Sequence, residues 1–232
     1  MLETWFVQIA FLLPGIVGAL ALLARQIAGD SVTRLPTIVH GHPLENLVLG
    51  IVTYVSVASL VPLALLLLAR TGQGPASLGL GRPLWRQDWL AGAGLALSGF
   101  AALFLMALLL APFLIGHKSL VLQMSVGAVP KYYIAYGIAL AAITAVTEET
   151  LVSGYLLTRL EQLGWNPRRA LLLSLALRTS YHIYYGLGFL LTVPLGYLLT
   201  RSFQKHRRLN RPIVAHFLYD AVLLTIGVLW HR

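Results

Sequence analysis

The stretch Thr147-Glu148-Glu149-Thr150-Leu151 lies inside residues 132–160, an otherwise apolar run that is long enough to span a bilayer. A carboxylate at that depth costs roughly 2.5–3.5 kcal/mol on insertion scales, so acidic residues are rare in membrane spans and mark functional sites. The adjacent pair Glu148 and Glu149 therefore predicts a site inside the membrane, completed by residues from other spans.

The composition indicates an integral membrane protein. Of 232 residues, 58% are hydrophobic and 11% are charged, whereas a soluble domain carries about 25% charged residues. The net charge of +9 comes from basic residues that lie between apolar runs. It therefore indicates membrane topology and contact with anionic lipid headgroups, and no nucleic-acid partner is expected. Cysteine is absent, which excludes disulfides, thiolate nucleophiles and cysteine-based metal sites.

The apolar runs predict an all-α polytopic membrane protein with about seven transmembrane helices. Each run has roughly 16 residues or more, and about 20 residues span a bilayer upright. The runs are residues 5–23, 47–69, 89–115, 132–160, 170–185, 187–203 and 213–230. Pro62 predicts a kink in the second run. Small residues at Gly92, Gly94, Ser98 and Gly99 predict close helix packing.

The basic residues predict the orientation in the membrane. The loops after the second, fourth and sixth runs hold most of them: Arg70, Arg82, Arg86, Arg159, Arg168, Arg169, Arg201, Lys205, Arg207, Arg208 and Arg211. The other side holds Arg25, Arg34, Lys118, Lys131 and Arg232. Because cytoplasmic loops carry the excess of Lys and Arg, we expect a cytoplasmic N-terminus. Small size and short loops favour a bacterial plasma membrane.

Four further ionisable residues lie inside the apolar runs: Arg178, His182, His216 and Asp220. At a rise of about 1.5 Å per residue, Glu148 lies roughly 16 Å from the basic end of its helix, His182 roughly 20 Å and Asp220 roughly 13 Å. Arg178 and His182 are four residues apart, as are His216 and Asp220, so each pair shares a helix face. The overlapping depths predict that these residues form one site.

The two glutamates are expected to have different roles. Adjacent residues on a helix point about 100° apart, so we expect that Glu148 and Glu149 do not reach the same spot. Arg178 is the predicted counter-ion of the structural glutamate, because a lone intramembrane arginine is as costly as a lone carboxylate. Three nearby tyrosines are expected to be interfacial or packing residues: Tyr181, Tyr184 and Tyr185.

Three motifs in order resemble the CPBP (Abi) intramembrane proteases, the group that includes the CAAX prenyl endopeptidases. They are Glu148-Glu149 with Gly154, then His182, then His216-Phe217-Leu218-Tyr219-Asp220. The family pattern is Glu-Glu-x-x-x-Arg, Phe-x-x-x-His and His-x-x-x-Asn or Asp. The resemblance implies a catalytic helical core in residues 132–232, a bundle formed by the four C-terminal helices. Residues 1–131 would form N-terminal transmembrane helices and an interfacial connector.

The chain departs from the family pattern at two positions. Ser153 stands where the family has arginine, and Arg178 stands where it has an aromatic residue. We interpret the two together: an arginine has moved from the fourth helix to the fifth and still faces the glutamates.

The candidate site residues are Glu148, Glu149, His182, His216 and Asp220, with Arg178 in support. The residue types allow Glu148 to act as general base on a water that His182 orients or whose proton it carries. The resemblance implies that His216 and Asp220 lie across the cleft, where the family has an oxyanion-stabilising His and Asn. An ionised Asp220 would instead orient His216.

The cofactor stays open at this point. Glu148, His182 and His216 are a plausible zinc set, and a metal-free mechanism in which glutamate activates water is equally compatible with the same residues.

The predicted function is an intramembrane peptidase that cleaves a membrane-anchored protein or peptide within the lipid bilayer. Its cleft would be conical and open toward the cytoplasmic half. One alternative is a proton-coupled carrier that uses the same carboxylate–histidine relay, although the paired broken helices and two-half symmetry of many carriers are missing. A second alternative is a catalytically inactive CPBP-like scaffold.

Overall fold

The computed structural model describes residues 2–28, 43–81, 84–116 and 132–230. All regular secondary-structure elements in these ranges are helices. Within these ranges the chain forms α1 (Leu2–Ile27), α2 (Pro43–Ala58), α3 (Leu60–Ala69), α4 (Trp85–Gly116), α5 (Tyr132–Glu148), α6 (Leu157–Gln162), α7 (Pro167–Ser180), α8 (Val193–His206) and α9 (Asn210–Trp230). A π-helical segment, Glu149–Leu156, joins α5 to α6. The prediction of an all-α fold is confirmed.

Five stretches of the described chain are long and apolar enough to cross a membrane: Leu2–Ala24, Leu47–Ala69, Arg86–Ile115, Tyr132–Gln162 and Asn210–Leu229. They correspond to five of the seven apolar runs, and they support an integral membrane protein with several spans. The second span contains the break between α2 and α3. It falls at Ser59, as expected where Pro62 removes a backbone N–H and crowds the carbonyl of the preceding turn.

The fifth and sixth apolar runs form a shorter helical hairpin. α7 and α8 have 14 residues each, a rise of about 21 Å, whereas the hydrocarbon core is about 30 Å thick. Two 3-10 turns join them, Ile183–Tyr185 and Leu187–Thr192. The side chain of Gln204 near the end of α8 donates to the carbonyl of Pro167 at the start of α7, at 2.8 Å. The end of α8 therefore lies at the same end of the bundle as the start of α7. α9 begins at that end, as it would if the fifth and sixth runs both crossed the membrane.

Polar contacts gather the termini of several helices at one end of the bundle. Arg70 after α3 contacts Glu3 of α1 at 3.2 Å, and Arg207 after α8 contacts Glu161 of α6 at 2.5 Å. Arg208 contacts Asp88 of α4 at 2.6 Å. The basic residues that the sequence predicts to be cytoplasmic lie at this end, as far as the structure describes them. Arg82 and four residues of the opposite group lie outside the described ranges: Arg34, Lys118, Lys131 and Arg232.

The core is centred on the π-helical segment, whose eight residues are all buried. Leu151, Tyr155 and Leu156 pack with residues of α1, α3 and α8, among them Val7, Leu68 and Phe203. Gln8 of α1, itself buried, donates from Nε2 to the carbonyl of Leu151 at 2.9 Å. The first helix therefore holds the segment that carries Glu149.

Two of the small residues in α4 permit the close packing that the sequence predicts. A Cβ at Gly92 would lie 2.5 Å from Val214 of α9, and a Cβ at Gly99 would lie 2.8 Å from Leu195 of α8. A Cβ at Gly94 would meet nothing within 4 Å. Gly92 and Gly99 thus let α8 and α9 approach the backbone of α4.

Candidate active site

The two glutamates lie at the junction between α5 and the π-helical segment. Glu148 is the last residue of α5, and Glu149 is the first residue of the π-helix. Single π-turns are uncommon in proteins and occur frequently at functional sites. The change of winding therefore coincides with the two residues that the sequence singles out.

Glu149 is completely buried, and both of its oxygens are fully engaged. Oε1 accepts from Arg178 Nη1 at 2.6 Å and from His216 Nδ1 at 2.8 Å. Oε2 accepts from Arg178 Nη2 at 3.0 Å and from Ser153 Oγ at 2.6 Å. Because an ionised carboxylate has about four acceptor positions, these four donors saturate it.

Arg178 and Ser153, the two departures from the family pattern, contact each other. Nη2 of Arg178 donates to Ser153 Oγ at 3.1 Å as well as to Glu149. The guanidinium is 5% exposed, and a fork of two N–H groups suits a buried carboxylate. Arg178 on α7 and the side chain at position 153 thus both contact Oε2 of Glu149.

Glu148 remains partly accessible. Its side chain is 12% exposed against 0% for Glu149. Oε2 of Glu148 accepts from the hydroxyl of Tyr181 at 2.6 Å and from Arg178 Nη1 at 3.5 Å. The expectation that the glutamates do not reach the same spot is wrong, because Nη1 of Arg178 lies between them and contacts both. The two carboxylates differ instead in burial.

Tyr181 is the residue of the site that sequence reasoning missed, because it was expected to serve as an interfacial or packing residue. Its ring does pack edge-on against Phe11 of α1 with centroids 6.0 Å apart, but its hydroxyl contacts Glu148. The spacing carried a signal: Tyr181 lies three residues after Arg178, and such residues are neighbours on a helix face.

His182 is held by the backbone of α7. Its Nδ1 lies 3.1 Å from the carbonyl oxygen of Arg178. A carbonyl oxygen only accepts, so Nδ1 carries the proton, and in the neutral ring the lone pair is on Nε2. The imidazole lies against the ring of Tyr181, with centroids 4.7 Å apart. His182 thus joins the group through Tyr181 and Arg178.

His216 bridges two carboxylates. Its Nδ1–H donates to Glu149, and its Nε2 lies 3.3 Å from Oδ2 of Asp220. Because both ionised carboxylates accept, this arrangement suits a doubly protonated, positively charged ring. Asp220 is 28% exposed and lies where it orients His216. The structure therefore connects the candidate residues of three chain segments.

The arrangement does not fit a metal ion held by Glu148, His182 and His216. Both ring nitrogens of His216 face carboxylates, which leaves no lone pair for a metal. Over the described ranges, no group of three His, Asp or Glu side chains could hold a metal ion.

An apolar groove of about 280 Å³ lies between α2 and α5. Its walls include Ile51 and Tyr54 of α2 and Tyr136, Leu140 and Ile143 of α5. Ile143 lies five residues before Glu148 on α5, so the groove runs along the helix that carries Glu148.

Comparison with known proteins agrees with the motif resemblance. Residues 130–222 match the family model of type II CAAX prenyl endopeptidase Rce1-like proteins. The match contains every candidate site residue, and the resemblance to the CPBP proteases is confirmed over this part of the chain. No curated protein and no solved structure matches the chain.

Proposed function

We infer from the match of residues 130–222 to the Rce1-like family that this chain is a CAAX-type intramembrane endopeptidase. One observation supports this inference above the others. A polar network built around the buried Glu149, Arg178 and His216 has one partly accessible carboxylate at each side, Glu148 and Asp220, with 12% and 28% of the side chain exposed. A carboxylate within the membrane is costly, so a network that served only to hold helices together would not be expected to have partly accessible carboxylates.

Glu148 is the proposed general base. Water attacks the scissile carbonyl carbon while its proton passes to Glu148, and the same proton then goes to the leaving amine as the C–N bond breaks. His182 orients the attacking water or carries its proton, and the contact of Nδ1 with the Arg178 carbonyl fixes the orientation of the ring. Glu149 takes no proton, since four donors occupy its oxygens.

His216 is the proposed donor to the oxyanion that develops on the substrate carbonyl. Its ring carries positive charge between Glu149 and Asp220, and a fixed cation in a water-poor site stabilises such an oxyanion strongly. The longer of its two contacts, 3.3 Å to Asp220, is the one on the exposed side. The Nδ1–H bond to Glu149 holds the ring in place, and the substrate oxygen takes the Nε2–H over from its long contact with Asp220.

The proposed substrate is a membrane-anchored protein or peptide, and the family name points to a prenylated CAAX C-terminus. The groove between α2 and α5 is apolar and runs along the helix that carries Glu148, so it suits the hydrocarbon part of such a substrate. The basic end of the bundle lies in the cytoplasm in this proposal, as the positive-inside rule requires, and a bacterial plasma membrane is the proposed location.

The test uses the purified full chain in lipid nanodiscs. A farnesylated CAAX peptide and an unprenylated copy are supplied in parallel, and products are identified by mass spectrometry. We expect cleavage of the farnesylated peptide by the wild type and none by Glu148→Gln or His182→Ala. Proton flux without cleavage would favour a carrier, and a wild type with neither cleavage nor proton flux would favour a scaffold.

A further inference from the structure

The hydroxyl of Tyr181 makes the shortest contact with Glu148. It donates to Oε2 at 2.6 Å, a distance typical of a charge-assisted O–H···O⁻ bond. The second donor, Arg178 Nη1, approaches the same oxygen at 3.5 Å. Both donors therefore act on Oε2, and Tyr181 determines where that oxygen lies.

Helix α1 holds the ring of Tyr181 in place. Phe11 packs against it edge-on at an interplanar angle of 72°. One turn further along α1, a Cβ at Gly15 would lie 3.2 Å from the Cβ of Tyr181. The tyrosine thus rests directly on the backbone of α1, which lies outside residues 130–222 that match the family model.

We propose that Tyr181 is a positioning residue for the hydrolysis, and that α1 acts on the active site through it. The hydroxyl binds Oε2 of Glu148, so that Oε1 receives the proton of the attacking water. Contact with Gly15 and Phe11 prevents the ring from rotating away. The proposal rests on the proposed function, and it gives the N-terminal part of the chain a role in the chemistry.

The first test is Tyr181→Phe in the full chain in nanodiscs, with the farnesylated peptide as substrate. We expect kcat to fall about 10- to 100-fold, as for loss of one charge-assisted hydrogen bond, with KM within about twofold of the wild type. The matched control is Tyr197→Phe, which removes the same hydroxyl from a side chain that is 47% exposed on α8. A wild-type kcat for Tyr181→Phe would overturn the proposal.

A second pair of variants tests the contribution of α1. Gly15→Ala displaces Tyr181 by a few tenths of an ångström, and we expect kcat to fall about threefold, since small misplacements of a catalytic group are costly. Gly18→Ala is the matched control, because a Cβ there meets nothing within 4 Å. Equal kcat values for the two variants would overturn the role of α1.

An infrared measurement separates this proposal from the proposed function. The difference spectrum between wild type and Glu148→Gln isolates the carboxylate stretch of Glu148, and we expect Tyr181→Phe to shift that band while Tyr197→Phe does not. If the wild type cleaves no peptide, the proposed function fails while the band still reports the hydrogen bond. An unshifted band in Tyr181→Phe overturns the positioning role.

Discussion

Two clusters of carboxylates and arginines lie at different depths of the molecule. At the basic end, Asp88 accepts from Arg208 Nε at 3.0 Å and Nη2 at 2.6 Å, and from the backbone N–H of Leu84 at 3.0 Å. In the interior, Glu149 binds Arg178 and His216. In the outer cluster Arg208 is 28% exposed, whereas Arg178 is 5% exposed in the inner one.

The difference lies in the ratio of carboxylates to cations. The outer cluster has one carboxylate, and Arg211 lies 3.5 Å from it as a second cation. The hydrogen bonds with Asp88 raise the pKa of the Arg208 guanidinium above its ordinary value, so this pair is permanently charged. The inner cluster adds Glu148 and Asp220 to Glu149, against Arg178 and His216. The inner cluster thus has three carboxylates for two cations, and two of the three remain partly accessible.

The largest effect is expected for Arg178→Met. It leaves Glu149 buried without its main counter-ion, and the free energy of unfolding should fall by about 3–5 kcal/mol. Arg208→Met is the matched control, because Asp88 keeps Arg211 as a cation at 3.5 Å and the backbone N–H of Leu84 as a donor, and its effect should be smaller. Unfolding in detergent followed by circular dichroism compares them. An equal loss of unfolding free energy in the two variants would show that the inner and outer clusters contribute alike to stability.

The next effect concerns the position of the arginine. The double variant Ser153→Arg with Arg178→Phe moves the guanidinium from α7 to the π-helical segment, where Ser153 already contacts Arg178 at 3.1 Å. We expect it to restore most of the cleavage that Arg178→Phe alone removes, since a cation again faces Glu149. Peptide cleavage by the two variants measures this. Activity as low as in the single variant would count against an exchange of the two positions.

A smaller effect is expected for Asp88→Asn at the outer cluster. Loss of the charge weakens the hydrogen bonds to Arg208, and stability should fall by about 1–3 kcal/mol. The kcat for the farnesylated peptide should stay at the wild-type value, because the cluster makes no contact with Glu148. A loss of kcat at unchanged stability would show that the outer cluster also serves the reaction.

Depth and spacing along single helices were predictable from the sequence. The cost of intramembrane charges singles out Glu148, Glu149, Arg178, His182, His216 and Asp220, and the structure places them in one group. What could not be predicted depends on contacts between segments. Nothing in a local pattern shows that Nδ1 of His216 turns to Glu149 and not toward the cleft.

Hydrophobic runs also hide how far each helix extends. The fifth and sixth runs were expected to form full spans, but α7 ends at Ser180 and the chain turns at Gly186. Gly186 has φ 58°, a backbone region that favours glycine. Apolar residues continue through the turn, so hydropathy alone does not show it.

The most direct test of the account compares Glu148→Gln with Glu149→Gln, measuring both unfolding in detergent and cleavage of the farnesylated peptide in nanodiscs. We expect Glu148→Gln to unfold at the wild-type midpoint with no measurable cleavage, and Glu149→Gln to unfold at a clearly lower temperature because its four donors lose an ionised acceptor. Cleavage at the wild-type rate by Glu148→Gln would contradict the account.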